Sequence, residues 1–288
     1  MTGSNHAHKR QKVLDIINSE SNVSLFTLKY EGIDIWPIVK SRTFLRLVSQ
    51  DAIQARSPSK LSKVKRVLVT SIDMPEKTTD FDVLFVANKN HRTNTRGKSY
   101  NRYFDPLIKV LDTANIKANL VEVDNFIMGR LKPMEVYGAV RYNPFRIFKA
   151  LSIKKNIGYF INETKSLMEF FYSISKEFSF PLDSFINDIT NSIWQAYTWA
   201  NIGEKLFSKH SVKDIFFLCY YDPRNYGLIV AANSRGIRTW DFQHGSQGLT
   251  HIAYHFSESE LQFEYNSLPK GFWTWDDTTG NNLKQVLA

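Results

Sequence analysis

The turn Asp241-Phe-Gln-His-Gly245 is where chemistry should gather in this chain. The stretch Ile237–Phe242 reads as a strand, and His244 follows that strand at once. An imidazole titrates near neutrality and can take a proton from a hydroxyl nucleophile. Gly245 permits close approach of a ligand or a positive φ. Backbone N–H groups around Gly245 and Ser246 suit a phosphate. Gln243, Gly245 and Ser246 are thus candidate substrate-binding residues around a candidate base, His244. The competing reading is a histidine that only shapes a tight turn.

Two other segments carry binding chemistry. Tyr221-Asp-Pro-Arg-Asn225 follows an apolar run, so Asp222 can cap the next helix with Pro223 in its first position. Asp222, Arg224 and Asn225 are candidate ligand contacts there. The stretch 88–102 holds Lys89, Arg92, Arg96, Lys98 and Arg102 with no acid among them. Arg92 and Lys98 are its candidate contacts to a phosphate or an acidic sugar, and a solvated basic loop is the equal alternative.

Several familiar arrangements fail on spacing. Gly97-Lys-Ser99 imitates a P-loop, but Arg92 stands where the shaping glycine is needed. His244, His251 and His255 suggest zinc, yet His251-Ile-Ala-Tyr-His255 lacks the zincin glutamate, and no metal is expected. Asp80-Phe-Asp82 precedes its strand and so falls at the wrong edge for a metal-diphosphate site. Gly-x-Ser-x-Gly is absent. Cys219, inside Ile215–Tyr221, reads as a buried, inert thiol. Trp273-Thr-Trp275 reads as a strand whose aromatics pack into the core rather than stack on a sugar.

The elements that must hold these residues are those of an α/β fold. Strands are expected at 23–30, 82–87, 118–123, 215–221, 237–242 and 272–275. Helices are expected at 33–55, 103–114, 168–178, 184–207 and 225–235, the last stopped by Gly236. Residues 125–160 show no clear pattern. Strands alternating with helices predict a Rossmann-like parallel sheet, with ligands outside the carboxyl ends of its strands. The loops after Ala87, Tyr221 and Phe242 then share one working edge. Residues 1–66 read as a strand-helix extension ending in the basic linker 56–66, residues 67–278 as the Rossmann-like domain, and 279–288 as the start of a crossover.

Composition narrows the setting. The net charge of +9 in 288 residues favours phosphate-bearing or otherwise anionic partners, but it is spread too evenly for a nucleic-acid tail. A single cysteine excludes an internal disulfide and fits a reducing compartment. No secretory signal and no apolar run of membrane length is visible. A cytoplasmic location is expected; Lys40, Arg42 and Arg46 on the helix 33–55 read first as a solvated face, with peripheral contact at the inner membrane face as the alternative.

With these residues in view, the chain resembles bacterial surface-polysaccharide glycosyltransferases of the GT-B kind. The likeness rests on Tyr30-Glu-Gly-Ile-Asp-Ile-Trp-Pro-Ile38, on Gly236-Ile-Arg-Thr-Trp-Asp-Phe-Gln-His-Gly245, and on Leu268-Pro-Lys-Gly-Phe-Trp-Thr-Trp275. A fainter likeness is to teichoic-acid glycerophosphotransferases, which also carry a strand followed by His-Gly. The resemblance implies a nucleotide-sugar donor, a glycan or lipid-linked acceptor, no cofactor or metal, and His244 as the base. It also places Glu31 among the substrate contacts. GT-B enzymes have a second Rossmann-like domain with no counterpart here, which implies a companion chain or a longer protein. A non-catalytic binding or assembly subunit, or a glycerophosphotransferase-like enzyme, are the alternatives.

Overall fold

The structure is a computed structural model that describes residues 2–19, 22–48, 81–88, 91–95, 98–122, 147–245 and 251–287. Helices α1 (Thr2–Ile17) and α2 (Val23–Phe26) lead into a hairpin of β1 (Lys29–Tyr30) and β2 (Ile33–Asp34), followed by α3 (Trp36–Val48). After β3 (Val83–Ala87) come a ribbon of β4 (Arg92–Thr95) and β5 (Lys98–Asn101), α4 (Phe104–Thr113) and β6 (Ala118–Glu122). Three helices follow: α5 (Ile147–Glu163), α6 (Lys165–Phe178) and α7 (Leu182–Phe207). Then β7 (Asp214–Phe217), α8 (Pro223–Asn233), β8 (Arg238–Phe242), the short α9 (Glu258–Leu261), β9 (Gly271–Trp273) and α10 (Asp277–Leu287) complete the chain.

Five strands form one parallel sheet in the order β6-β3-β7-β8-β9. The α/β architecture is therefore a parallel sheet flanked by helices, as expected of a Rossmann-like fold. Leu84, Val86, Ile215 and Phe217 point into the larger core with the long helices. Phe85, Phe216 and Leu120 point the other way, onto Phe104 and Ile108 of α4. This period-two division of one apolar run buries both faces of the central strands. Residues of α1, α2 and α3, including Val13, Ile17, Phe26 and Trp36, belong to the larger core.

The order also locates a crevice. The chain leaves β3 through α4 to β6 on one side, then returns to β7 on the other side of β3. The connections after β3 and β7 thus depart in opposite directions and open a gap between them at the carboxyl edge.

Several boundaries differ from the sequence reading. Residues 23–30 are a short helix and a two-residue strand, because the strand is only one arm of a hairpin turned by Glu31 (φ 48) and Gly32 (φ 80). The helix expected to 55 is described only to Val48, and the linker 56–66 lies outside the described residues. The basic loop 88–102 contains an antiparallel ribbon pairing Arg92 with Asn101 and Thr95 with Lys98. The stretch 251–255 holds a 3-10 turn, Ile252–Tyr254, rather than a helix face shared by two histidines. The strand after 214 ends at Phe217, since Cys219 adopts a left-handed backbone (φ 59) that no strand accommodates.

The membrane-facing reading of α3 also changes. The Lys40 side chain is 3% exposed and paired at 2.7 Å with Glu260, itself 1% exposed. Its ammonium also donates to the His255 carbonyl and lies over the Phe256 ring. Arg46 is half-buried, ion-paired with Asp188 at 3.0 Å and bonded to Ser184. This helix therefore turns these cations to internal partners instead of offering a basic stripe. Among the described residues no helix is long and apolar enough to cross a membrane.

Helix α8 sets the working edge because Asp222 caps it and α7 clamps it. Asp222 accepts the Arg224 N–H at 3.0 Å, with Pro223 in the first turn. Gly227 lets the α7 backbone approach so closely that a Cβ would stand 2.1 Å from the Ala196 carbonyl oxygen and 2.6 Å from the Ala200 nitrogen. Gly227→Ala must force two packed helices apart. We expect a loss of about 3 kcal/mol, at the upper end of overpacking costs, read as a lower denaturant midpoint. An unchanged midpoint would contradict this contact.

Candidate active site

His244 stands just beyond the carboxyl end of β8, beside the β3/β7 gap. Its Nε2 lies 2.9 Å from the Sγ of Cys219, and its Nδ1 lies 3.4 Å from the Phe242 carbonyl oxygen. That oxygen can only accept, and which ring nitrogen carries the proton is set by the tautomer. Tyr103 donates its hydroxyl to the His244 carbonyl at 2.8 Å, and Arg102 donates to the same hydroxyl at 2.9 Å.

The partners of His244 come from both sides of the gap. The His91 ring, from the segment after β3, lies 5.9 Å from the His244 ring. The Tyr221 ring, from the turn after β7, lies 6.4 Å from it and packs against His251 at 5.1 Å. Burial, followed by the neighbouring His244, pushes His91 and His251 down to about 4. Burial also lowers His244, with Arg102 acting in the same direction and the Phe242 contact opposing. Burial pushes the Cys219 thiol up to about 12, against a hydrogen bond from Tyr221. At neutral pH the pocket therefore holds neutral imidazoles and a protonated thiol.

The backbone beneath this pair is pinned. Asn225, 1% exposed, donates its amide to the carbonyls of Leu218 at 3.1 Å and Cys219 at 3.0 Å. The N–H of Tyr220 donates to Asp241 Oδ1 at 3.1 Å. With that amide occupied, it is not open to serve as an oxyanion donor beside the thiol.

The other sequence candidates divide. Gln243, 2% exposed, donates to the Gly245 carbonyl at 3.0 Å and accepts the Trp275 N–H at 2.7 Å. It builds the turn. Gly245 has nothing within 4 Å of where a Cβ would stand and no left-handed φ, so the conformational freedom expected of it is not used. Asp222 spends its carboxylate on the helix cap and on the Arg224 guanidinium, at 2.8 and 2.7 Å. Arg92 and Lys98 begin the two strands of the ribbon after β3, while Ser246 lies outside the described residues. Glu31 is exposed on the β1–β2 turn, where Asn266 bonds the Gly32 carbonyl and Asp34. Residue 266 precedes the start of β9, so Glu31 belongs to the opposite, amino-terminal edge and is not brought to His244.

Three further placements depart from expectation. Cys219 is half-buried at a strand tip and touches His244, so it is not the fully buried thiol expected, while burial does hold it in the unreactive protonated form. The cap Asp222-Pro223 was the available signal, because a helix starting at 223 leaves Cys219 in the preceding turn. His91 carries no formal charge, so the basic pattern of its loop does not single it out. Trp273 and Trp275 are 53% and 56% exposed, and thus are not core residues, although Trp273 packs edge-on against Phe216 at 5.3 Å. Among the described residues, no three His, Cys, Asp or Glu side chains are gathered as a metal-holding group.

No protein-family model, curated protein or solved structure matches this chain, so the capacity of the site is read from its geometry.

The depressed histidines set a pH dependence. In the unfolded chain they titrate near 6.5, but His91 and His251 titrate near 4 when folded. The unfolded state therefore binds more protons as the pH falls, and stability declines from about pH 6.5 towards about pH 4. Denaturant midpoints across this range should fall for the wild type. The double variant His91→Asn/His251→Asn should show a flatter profile. Parallel profiles would remove these imidazoles as the source.

Proposed function

We propose that this chain is the acceptor-side Rossmann-like domain of a GT-B-type glycosyltransferase, building a bacterial surface glycan. The observation that supports the reading most is a neutral imidazole at the carboxyl edge of a parallel sheet, beside the gap where its strand order reverses. In this reading an acceptor hydroxyl takes the place of the thiol at Nε2 of His244. The hydroxyl proton passes to Nε2 as the oxygen bonds to the anomeric carbon of a nucleotide-sugar. The nucleotide phosphate departs with the electron pair of the broken bond.

The same pocket explains why the base is poised. Burial keeps His244 unprotonated at neutral pH, and Tyr103 fixes its carbonyl. Arg102, behind Tyr103, places a positive charge near the site, which suits a phosphate-bearing donor or acceptor. The sugar-binding remainder of the enzyme, whether in the same polypeptide or in a companion chain, is part of the proposal.

A thermal-shift panel of UDP-, GDP-, CMP- and dTDP-sugars with CDP-glycerol tests the donor class. With that sugar-binding remainder present, a raised melting temperature with a nucleotide-sugar is expected. A shift with CDP-glycerol alone would move the chemistry to glycerophosphate transfer, and no shift with any donor would favour a non-catalytic binding subunit. With the responding donor and a membrane-extracted acceptor, His244→Gln should lower transfer by about 10²-fold or more at an unchanged melting temperature. Full activity in that variant would sink the base assignment.

A further inference from the structure

We propose that Cys219 is the positioning residue of His244: its thiol donates to Nε2 and holds the ring as the Nδ1-protonated tautomer, with Nε2 the proton-accepting atom. This deepens the transfer reading by naming which nitrogen does the work and what keeps it there. The tautomer itself is a property of the protein without substrate.

Geometry carries the inference. A neutral imidazole has one N–H and one lone pair, and the two faces of this ring meet chemically different partners. The Phe242 carbonyl can only accept, at 3.4 Å from Nδ1, and the thiol can donate, at 2.9 Å from Nε2. The reverse tautomer would put a lone pair against the carbonyl oxygen and the Nε2 proton against a sulfur that accepts only weakly. The thiol is held in place by more than its own rotamer. Cys219 adopts φ 59, its carbonyl and that of Leu218 accept from Asn225, and the next N–H is bonded to Asp241. Tyr103 meanwhile fixes the backbone of His244 at 2.8 Å. Both ends of the Sγ–Nε2 contact are thus anchored in the frame, so the contact is a built one.

The arrangement also has a chemical consequence. A neutral S–H is a weak donor, so an incoming hydroxyl can displace it from Nε2 at small cost. The thiol therefore orients the base without competing strongly with the substrate. With Tyr220 N–H committed to Asp241, a thiol attack on a carbonyl would lack its nearest oxyanion donor. That favours a positioning role over a nucleophilic one.

The test is imidazole nitrogen NMR on histidine-labelled protein, folded and without ligand. The wild type is expected to show His244 protonated at Nδ1. In Cys219→Ala the population should move towards the Nε2-protonated form, and Cys219→Ser, which keeps a donor, should restore the wild-type tautomer. Should Cys219→Ala fail to fold, Cys219→Gly, which suits the left-handed backbone at φ 59, removes the same donor and should cause the same change. An Nε2-protonated ring in the wild type, or one tautomer throughout, overturns the proposal. Because no donor or acceptor is present, this outcome is independent of whether the chain transfers a sugar.

Discussion

The geometry of the working edge depends on a buried carboxylate. Asp241 is fully buried at the carboxyl end of β8, where an ionised group is expensive unless its oxygens are satisfied. Its Oδ1 accepts the Tyr220 N–H at 3.1 Å, and its Oδ2 accepts the Tyr254 hydroxyl at 2.7 Å. Tyr220 in turn donates its hydroxyl to the Ala253 carbonyl. One side chain thereby ties the turn after β7 to the segment after β8. Burial, together with the nearby Asp241 charge, pushes Tyr220 and Tyr254 well above the usual tyrosine range, so both hydroxyls stay protonated, Tyr254 as a donor to Asp241 and Tyr220 as a donor to the Ala253 carbonyl.

The rest of the site follows from that tie. Tyr220 can reach Asp241 only if the chain turns sharply after Phe217, and Cys219 takes up the turn with its left-handed φ. The turn presents Sγ to His244, which leaves the same strand as Asp241 three residues later. Asn225 closes the arrangement from helix α8, whose position is set by the Asp222 cap and the close passage of Gly227 past α7. The functional geometry is in this sense a consequence of how β7 and β8 are joined to their helices.

Much of this frame was legible in the residues. The near-continuous apolar runs around Leu84 and Ile215 announced strands of a parallel sheet, the Gly236 stop announced the next strand from Ile237, and the Asp-Pro cap announced α8. The place of His244 at the carboxyl edge followed from both. What escaped detection depended on tertiary partners. Cys219 lies in an apolar run, and beyond the Asp222-Pro223 cap it is the tie of Tyr220 to Asp241 that shows the run contains a turn. Lys40 looked like a surface cation because nothing local reveals Glu260, a residue 220 positions away, as its partner. Trp273 and Trp275 looked like core residues because composition cannot tell that their ends of the edge strand are left exposed.

The central claim is that substrate meets this protein at the carboxyl edge, between the segments after β3, β7 and β8. Backbone-amide NMR shift mapping with the membrane-extracted acceptor, the substrate this domain is proposed to hold, tests it most directly. The account predicts that the largest shifts fall on residues 91–92, 218–225 and 242–245. Shifts centred instead on the hairpin 29–34 and on residues 264–268, at the opposite edge of the sheet, would contradict it.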